Sequence, residues 1–315
     1  MRIDPTFHLI TDNTEATRQY QHYRKAWELR PQQFYTGMFP MHVDLELNSH
    51  CNLRCVMCFQ YDRSLPYQEM DLRTVKKIIE ECGDKGCYAM KFNHRGEPLL
   101  ATHLTEAVRL AKEAGILETM INTNATLLHS HKIQEVVDAG LDKIICSVDS
   151  YRKELYEEIR IGANFDTVMA NICTLQTYKQ LKDLEKPICR VQMVLMDTNK
   201  DDQEEYVTFW EEIADQVAIE ECFDYGDREE YNSISDFVCP QLWQRLMVHV
   251  DGLVYPCCSL TAEPIGSIYK DDLETLWRCD KMEELRFLHK KGRSHEIEMC
   301  RRCYMRKKEV KRCQF

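Results

Sequence analysis

The sequence predicts an α/β protein: a partial (β/α)6 TIM-like barrel followed by a small cysteine-rich domain. Two observations carry the prediction. Between residues 41 and 222, runs with a two-residue hydrophobic period alternate with runs of helical period, giving five strand–helix pairs and a sixth strand. Right-handed crossovers place each helix outside its strands, so the parallel sheet curls and chemistry belongs at the C-terminal ends of the strands. After Cys222 the rhythm is lost, and residues 223–315 read as a second, small domain that calls for a metal staple.

Thr14 to Leu29 predicts a helix stopped by Pro31, and Gln32 to Pro40 a connector, so residues 1–40 form a helical extension. Met41 to Asn48 alternates Val43, Leu45 and Leu47 with Asp44 and Glu46, a strand. Asp71 to Cys82 is a capped helix with Leu72, Val75, Ile78 and Ile79 on one face. Tyr88 to Asn93 and Thr102 to Ala114 repeat the pair, the helix closing at Gly115. Glu118 to Thr123 with Ser130 to Ala139, and Lys143 to Val148 with the helical stretch Tyr151 to Leu184, continue it. Cys189 to Met196 with Gln203 to Ile213 is the fifth pair, and Gln216 to Glu221 the sixth strand. Leu246 to Val250, the turn Asp251-Gly252 and Leu253 to Tyr255 form a hairpin, followed by short helices at Leu273 to Trp277 and Met282 to His289.

The chain has 315 residues, 44% hydrophobic and 30% charged, a composition that excludes collagenous and disordered classes. A net charge of -11 argues against nucleic acid or an anionic membrane as partner and for a small molecule. No apolar run approaches a membrane span and Met1 to Tyr20 is polar, so a cytoplasmic location is expected. In that reducing compartment 16 cysteines point to metal rather than to disulfides.

Directly after the first strand stands Cys51-Asn52-Leu53-Arg54-Cys55-Val56-Met57-Cys58. Three thiolates ligate three irons of a 4Fe-4S cube and leave the fourth open, whereas tetrahedral zinc needs a fourth ligand, for which His50 is the candidate. With Arg95-Gly96-Glu97-Pro98 at the end of the second strand, this loop resembles the radical S-adenosylmethionine (SAM) superfamily. The resemblance implies that Cys51, Cys55 and Cys58 hold a 4Fe-4S cluster whose open iron chelates SAM, and that an electron cleaves SAM to methionine and a 5′-deoxyadenosyl radical. Gly96 and Glu97 match the end of the family's Gly-Gly-Glu motif, which receives the SAM ammonium, while Arg95 replaces its first glycine. Ser147 and Arg160 match positions that hold the SAM carboxylate and ribose. Phe59 covers the adenine or simply packs, and Asn122 and Asn124 hydrogen-bond ribose or substrate hydroxyls or make a local Asx turn. His94, Tyr225 and Tyr231 are further candidates for substrate contact.

Cys239, Cys257, Cys258, Cys300, Cys303 and Cys313 bracket the hairpin and the basic end, in a C-x12-G-x4-C pattern around Gly252 followed by C-x-x-C. By spacing alone this is a four-thiolate zinc or iron-sulfur site. It resembles the auxiliary-cluster region of SPASM and Twitch proteins. Glu309 stands where a full SPASM run carries a further cysteine, so the resemblance implies one auxiliary 4Fe-4S cluster on Cys239, Cys257, Cys300 and Cys303, with Cys313 as a substitute ligand. Cys258 is left over: a thiol that returns a hydrogen atom to a substrate radical, as some radical SAM epimerases require, or a small buried hydrophobe. The basic run Arg301 to Arg312 is a solvated face, a dock for a flavodoxin or ferredoxin-type electron donor, or a phosphate site.

Together the resemblances imply hydrogen abstraction from a carbohydrate-like or aminocyclitol substrate and oxidation of its alcohol to a ketone, as in Twitch-type aminocyclitol dehydrogenases. The competing readings are a radical epimerase with Cys258 as hydrogen donor, a peptide maturase, which the roughly 40 residues before the first strand disfavour, and a non-enzymatic metal-stapled binding protein.

Overall fold

The computed structural model describes residues 15–61, 65–221, 237–301, 303 and 305. Cys222, Tyr225, Tyr231, Glu309, Cys313 and the basic residues from Arg302 onward lie outside them.

Helix α1 (Glu15–Gln33) runs through Pro31 instead of stopping at it. Proline has no N–H to offer the carbonyl four residues back, that of Trp27, and this oxygen accepts the side-chain amide of Gln244 at 2.7 Å. The backbone group that proline orphans is thus satisfied from elsewhere in the fold. The buried ring of Tyr23 stacks on Tyr88 with centroids 5.2 Å apart and packs with Met41 and Ala89. Because these neighbours start strands, α1 closes the floor of the barrel.

The barrel strands are β1 (His42–Leu45), β3 (Ala89–Lys91), β4 (Glu118–Thr123), β5 (Lys143–Ser147), β7 (Ile188–Leu195) and β8 (Gln216–Glu221), all parallel and in that spatial order. Helices α2 (Leu72–Asp84), α3 (Leu104–Glu113), α4 (Ser130–Asp138), α6 (Phe165–Lys182) and α7 (Gln203–Glu211) connect them. This is the partial (β/α)6 barrel that the hydrophobic periods predict. Alternate strand residues divide the two faces. Val43, Leu45, Met90, Ile121, Ile144 and Val191 join Val75, Ile78, Ala107, Val136 and Ile172 of the helices in one continuous core. The opposite face is polar, with His42, Asp44 and Glu46 buried in the lumen.

Two features depart from the sequence reading. The stretch from Tyr151 to Leu184 is interrupted: α5 (Lys153–Ile159) ends in β6 (Arg160–Ile161), and the chain turns at Gly162, φ 97°, before α6 begins. β6 pairs antiparallel with β2 (Arg54–Cys55), setting Cys55 opposite Arg160. The C-terminal hairpin also extends the barrel sheet. β9 (Arg245–Val248) runs parallel to β1, with Val43 opposite Leu246 and Leu45 opposite Val248. β10 (Leu253–Tyr255) and β11 (Gly266–Ser267) follow antiparallel, giving a nine-stranded sheet. Helices α8 (Leu273–Trp277), α9 (Asp280–Lys290) and α10 (Glu298–Arg301) follow this hairpin in the chain. There the buried Arg286 donates to the carbonyls of Leu242 and Trp277 and lies 4.1 Å over the Trp277 ring.

Candidate active site and auxiliary cysteine centre

The loop after β1 brings Cys51, Cys55 and Cys58 within electrostatic reach of one another. β2–β6 pairing and the bond from Val56 N–H to the Ile159 carbonyl fix its path. Each sulfur faces an N–H donor: Asn124 Nδ2 at 3.9 Å from Cys51, Arg160 Nη1 at 3.7 Å from Cys55, and the Gln60 backbone N–H at 3.5 Å from Cys58. Burial pushes the Cys55 thiol up to about 11 and raises Cys51. Such thiols surrender protons to a strongly cationic partner, and donors aimed at sulfur stabilise the charge that results. Among the described residues no three His, Cys, Asp or Glu side chains converge on a single metal ion. A cube of four irons accepts thiolates set further apart, so the donor set fits an iron-sulfur cluster.

Arg160 was read from sequence as a residue on a helix that reaches SAM; the structure puts it in the short strand β6, 6% exposed, committed to Cys55 and to Asp149, whose Oδ2 lies 2.7 Å from its Nε.

The segment after β3 locks onto this loop. A Cβ on Gly96 would lie 2.4 Å from the Asn48 carbonyl oxygen and 2.9 Å from that of His50, so only glycine allows the approach. The Glu97 N–H donates to the His50 carbonyl at 2.8 Å. The buried Glu97 carboxylate accepts from Thr123 Oγ1 at 2.6 Å, Asn124 N–H at 2.8 Å and Leu99 N–H at 3.1 Å. Burial raises its pKa despite these bonds. A carboxylate offers about four acceptor sites, so roughly one is left for a ligand. Arg95, the departure from the glycine motif, turns its guanidinium onto Glu46, which also receives the Val250 N–H at 3.0 Å and so ties the hairpin to this site.

Asn122, next to last in β4, and Ser147, last in β5, lie on the lumen face. Asn122 N–H donates to Asn93 Oδ1 at 2.8 Å, while its own Oδ1 is buried without a partner. Phe59 is half-buried on the turn after Cys58. At the same end a stack forms that links barrel and hairpin: His94 lies over His249 at 5.0 Å, and His249 over Tyr255 at 4.0 Å. His94 Nε2 and His249 Nδ1 are buried without hydrogen-bond partners. Burial lowers His94 to about 4 and His249 to about 3, so both rings are neutral at physiological pH.

Cys239, Cys257, Cys258, Cys300 and Cys303 gather in a second group, each close enough to act on Cys239 or Cys257. Burial raises the Cys239 and Cys257 thiols well above their ordinary value. Cys258 is clamped by one side chain: its N–H donates to Gln241 Oε1 at 3.1 Å, and Gln241 Nε2 donates back to its sulfur at 3.4 Å. It also lies within electrostatic reach of Lys91 and Arg245 in the lumen. Sequence reasoning missed Gln241, and it missed His289, whose Nδ1 accepts the Cys239 N–H at 3.1 Å and whose Nε2 is 3.5 Å from Cys300 Sγ. The available signal was helical periodicity, since Met282, Arg286 and His289 form the buried face of α9.

The barrel, its three-cysteine loop and the glycine-glutamate contact define a radical SAM enzyme. Residues 45–209 match the model of the radical SAM superfamily, and the chain belongs to that family. It carries in addition, at residues 239–304, the SPASM iron-sulfur cluster-binding domain. Its cofactors are accordingly SAM and 4Fe-4S clusters. Among curated relatives, a GTP 3′,8-cyclase of Limosilactobacillus fermentum is 32% identical over 152 residues, 45% of this chain and 44% of that protein. A probable GTP 3′,8-cyclase of Methanococcus maripaludis is 32% identical over 129 residues, 41% of this chain and 43% of that one. The chain thus matches less than half the length of these relatives. Among solved structures, BtrN in complex with AdoMet and 2-DOIA aligns with TM-score 0.55 at 20% identity, over 84% of this chain and 92% of that one. SuiB of Streptococcus suis bound to S-adenosylmethionine aligns with TM-score 0.64 at 14% identity, over 88% and 75%. At these identities the likeness is one of fold. Among the described residues no helix is long and apolar enough to cross a membrane.

Proposed function

We propose that the chain oxidises an alcohol of a carbohydrate-like or aminocyclitol substrate to a ketone. The observation that supports the reading is the pairing of β9 with β1, which joins the hairpin flanked by Cys239 and Cys257 to the barrel sheet. Cys51, Cys55 and Cys58 would hold the cluster that, with SAM, would supply the hydrogen-abstracting radical, and Cys239, Cys257, Cys300 and Cys303 would hold an auxiliary cluster that would supply an electron acceptor. Of the two electrons the alcohol loses, one would leave with the hydrogen atom and one through the auxiliary cluster, matching the single electron that a flavodoxin or ferredoxin-type donor would supply for SAM cleavage. Glu97 holds the SAM ammonium with its remaining acceptor site, Ser147 and Asn122 bond carboxylate and hydroxyl groups, and Phe59 lies against the adenine. The unpartnered Nε2 of His94, which burial keeps neutral, would offer the substrate a hydrogen-bonding group, and the hydroxyl proton would leave to water as the ketone forms. The polar lumen, with Asp44, Glu46, Asn93 and Asn122, suits a hydroxylated substrate better than an apolar one.

A second reading, inversion of a carbinol centre, is favoured by one observation: the Gln241 clamp that fixes Cys258 beside Lys91 and Arg245. Anaerobically reconstituted protein incubated with SAM, dithionite and a panel of aminocyclitols and sugars, with GTP as a control, tests both. Oxidation predicts a ketone and 5′-deoxyadenosine in equal amounts, unchanged in Cys258→Ala. Epimerisation predicts that Cys258→Ala loses or diverts the product. 5′-Deoxyadenosine formed without any ketone would sink the first reading.

A further inference from the structure

We propose that His289 donates a hydrogen bond from Nε2 to the Cys300 thiolate and thereby raises the reduction potential of the auxiliary cluster. The inference rests on reading Cys239, Cys257, Cys300 and Cys303 as that cluster's ligands. His289 is 0% exposed, in the last turn of α9. Seen from Cys300 alone, the 3.5 Å contact between Nε2 and Sγ does not say which atom donates. The other side of the ring decides it. The backbone N–H of Cys239 donates to Nδ1 at 3.1 Å, and a nitrogen that accepts a hydrogen bond carries no proton. The ring is therefore neutral, its one proton is on Nε2, and that N–H points at Cys300.

The surroundings hold the ring in place. Phe237 meets it edge-on with centroids 6.2 Å apart, and the Phe237 carbonyl accepts the Ser294 hydroxyl at 3.1 Å. One imidazole thus spans the backbone of one proposed ligand and the sulfur of another that follows it much later in the chain. Reduction adds negative charge that the thiolates share, so an N–H aimed at one of them stabilises the reduced form. His289 is a positioning residue here: it acts through Cys300.

The test is a potentiometric titration, followed by EPR, of the reconstituted full chain with SAM present. The auxiliary cluster is the one whose signal SAM leaves unaltered. His289→Asn keeps an oxygen for the Cys239 N–H and removes the donor facing Cys300, so its auxiliary midpoint moves to more negative potential. His289→Gln, which places an amide N–H toward Cys300, returns part of the shift. Both variants keep about eight irons per chain, two four-iron cubes. Equal midpoints in wild type, Asn and Gln variants, with iron retained, overturn the inference and leave the ligand reading standing. If instead Cys300→Ser retains all its iron with an unchanged auxiliary spectrum, the ligand reading falls, and the role of His289 falls with it.

Discussion

Asp149→Asn isolates the electrostatics that hold the cluster loop. Asp149 is fully buried just beyond β5; its Oδ1 accepts the Val194 N–H at 2.8 Å and its carbonyl accepts Asn199 Nδ2 at 2.9 Å. Its Oδ2 lies 2.7 Å from Nε of Arg160, the residue opposite Cys55. Burial works to lower the Arg160 pKa, yet Asp149 together with Cys55 and Tyr156 outweighs it and the guanidinium stays firmly charged. Asparagine keeps the shape and the acceptor for Val194 while removing the charge. At 2.7 Å and an effective dielectric of about 20, the Coulomb attraction is about 6 kcal/mol. Relief of the carboxylate's own desolvation offsets roughly half, leaving a loss of about 3 kcal/mol, the lower end of the range for breaking a buried pair. That is roughly a hundredfold in the folding equilibrium. Urea denaturation of wild type, Asp149→Asn and Asp149→Asn/Arg160→Met measures it. If the cost is a stranded guanidinium, the double variant recovers much of what the single one loses. A single-variant loss under about 1 kcal/mol, or a double variant worse than the single, would refute the reasoning.

Further expectations follow from the same geometry. Gly96→Ala forces a methyl group against the Asn48 and His50 carbonyls, so SAM binding measured by equilibrium dialysis is expected to fall at least tenfold, by about 1.4 kcal/mol. Gln244→Leu leaves the Trp27 carbonyl without its donor above Pro31 and costs about 1–3 kcal/mol in urea denaturation; an unchanged midpoint would show that water satisfies this oxygen. His94 titrates near 4 in the folded protein against about 6.5 unfolded, so the unfolded chain binds more protons across that window and stability falls as pH drops through it. At pH 5 the contribution lost is about 2 kcal/mol, and His94→Gln is expected to flatten the pH dependence of the denaturation midpoint by that amount.

The βα succession was legible because each core strand carries Val, Ile, Leu or Met at alternate positions, as at Val43 and Leu45, and each helix has its own apolar face, as at Val75, Ile78 and Ile79. The Cys51–Cys58 loop was legible because its ligands are local in sequence. Contacts between distant segments were not. Nothing in Arg160-Ile161 marks a two-residue strand, since its pairing with Arg54-Cys55 depends on where the chain turns at Gly162. The pairing of β9 with β1 is likewise invisible, because an apolar strand reads the same in a separate domain as on a barrel edge. Pro31 predicts a helix end from local chemistry, and Gln244, far along the chain, overrides it. Asp149, Gln241 and His289 belong to no motif: each acquires its role from a partner that folding brings to it.

The most direct test is to count iron and 5′-deoxyadenosine in the same anaerobic preparation, for wild type and for Cys51→Ala/Cys55→Ala/Cys58→Ala. Wild type is expected to bind about eight irons and cleave SAM on reduction, and the triple variant to keep about four irons and cleave none. SAM cleavage that survives the triple substitution, or zinc in place of iron in the wild-type chain, would contradict the assignment of the open-iron cluster to these three cysteines.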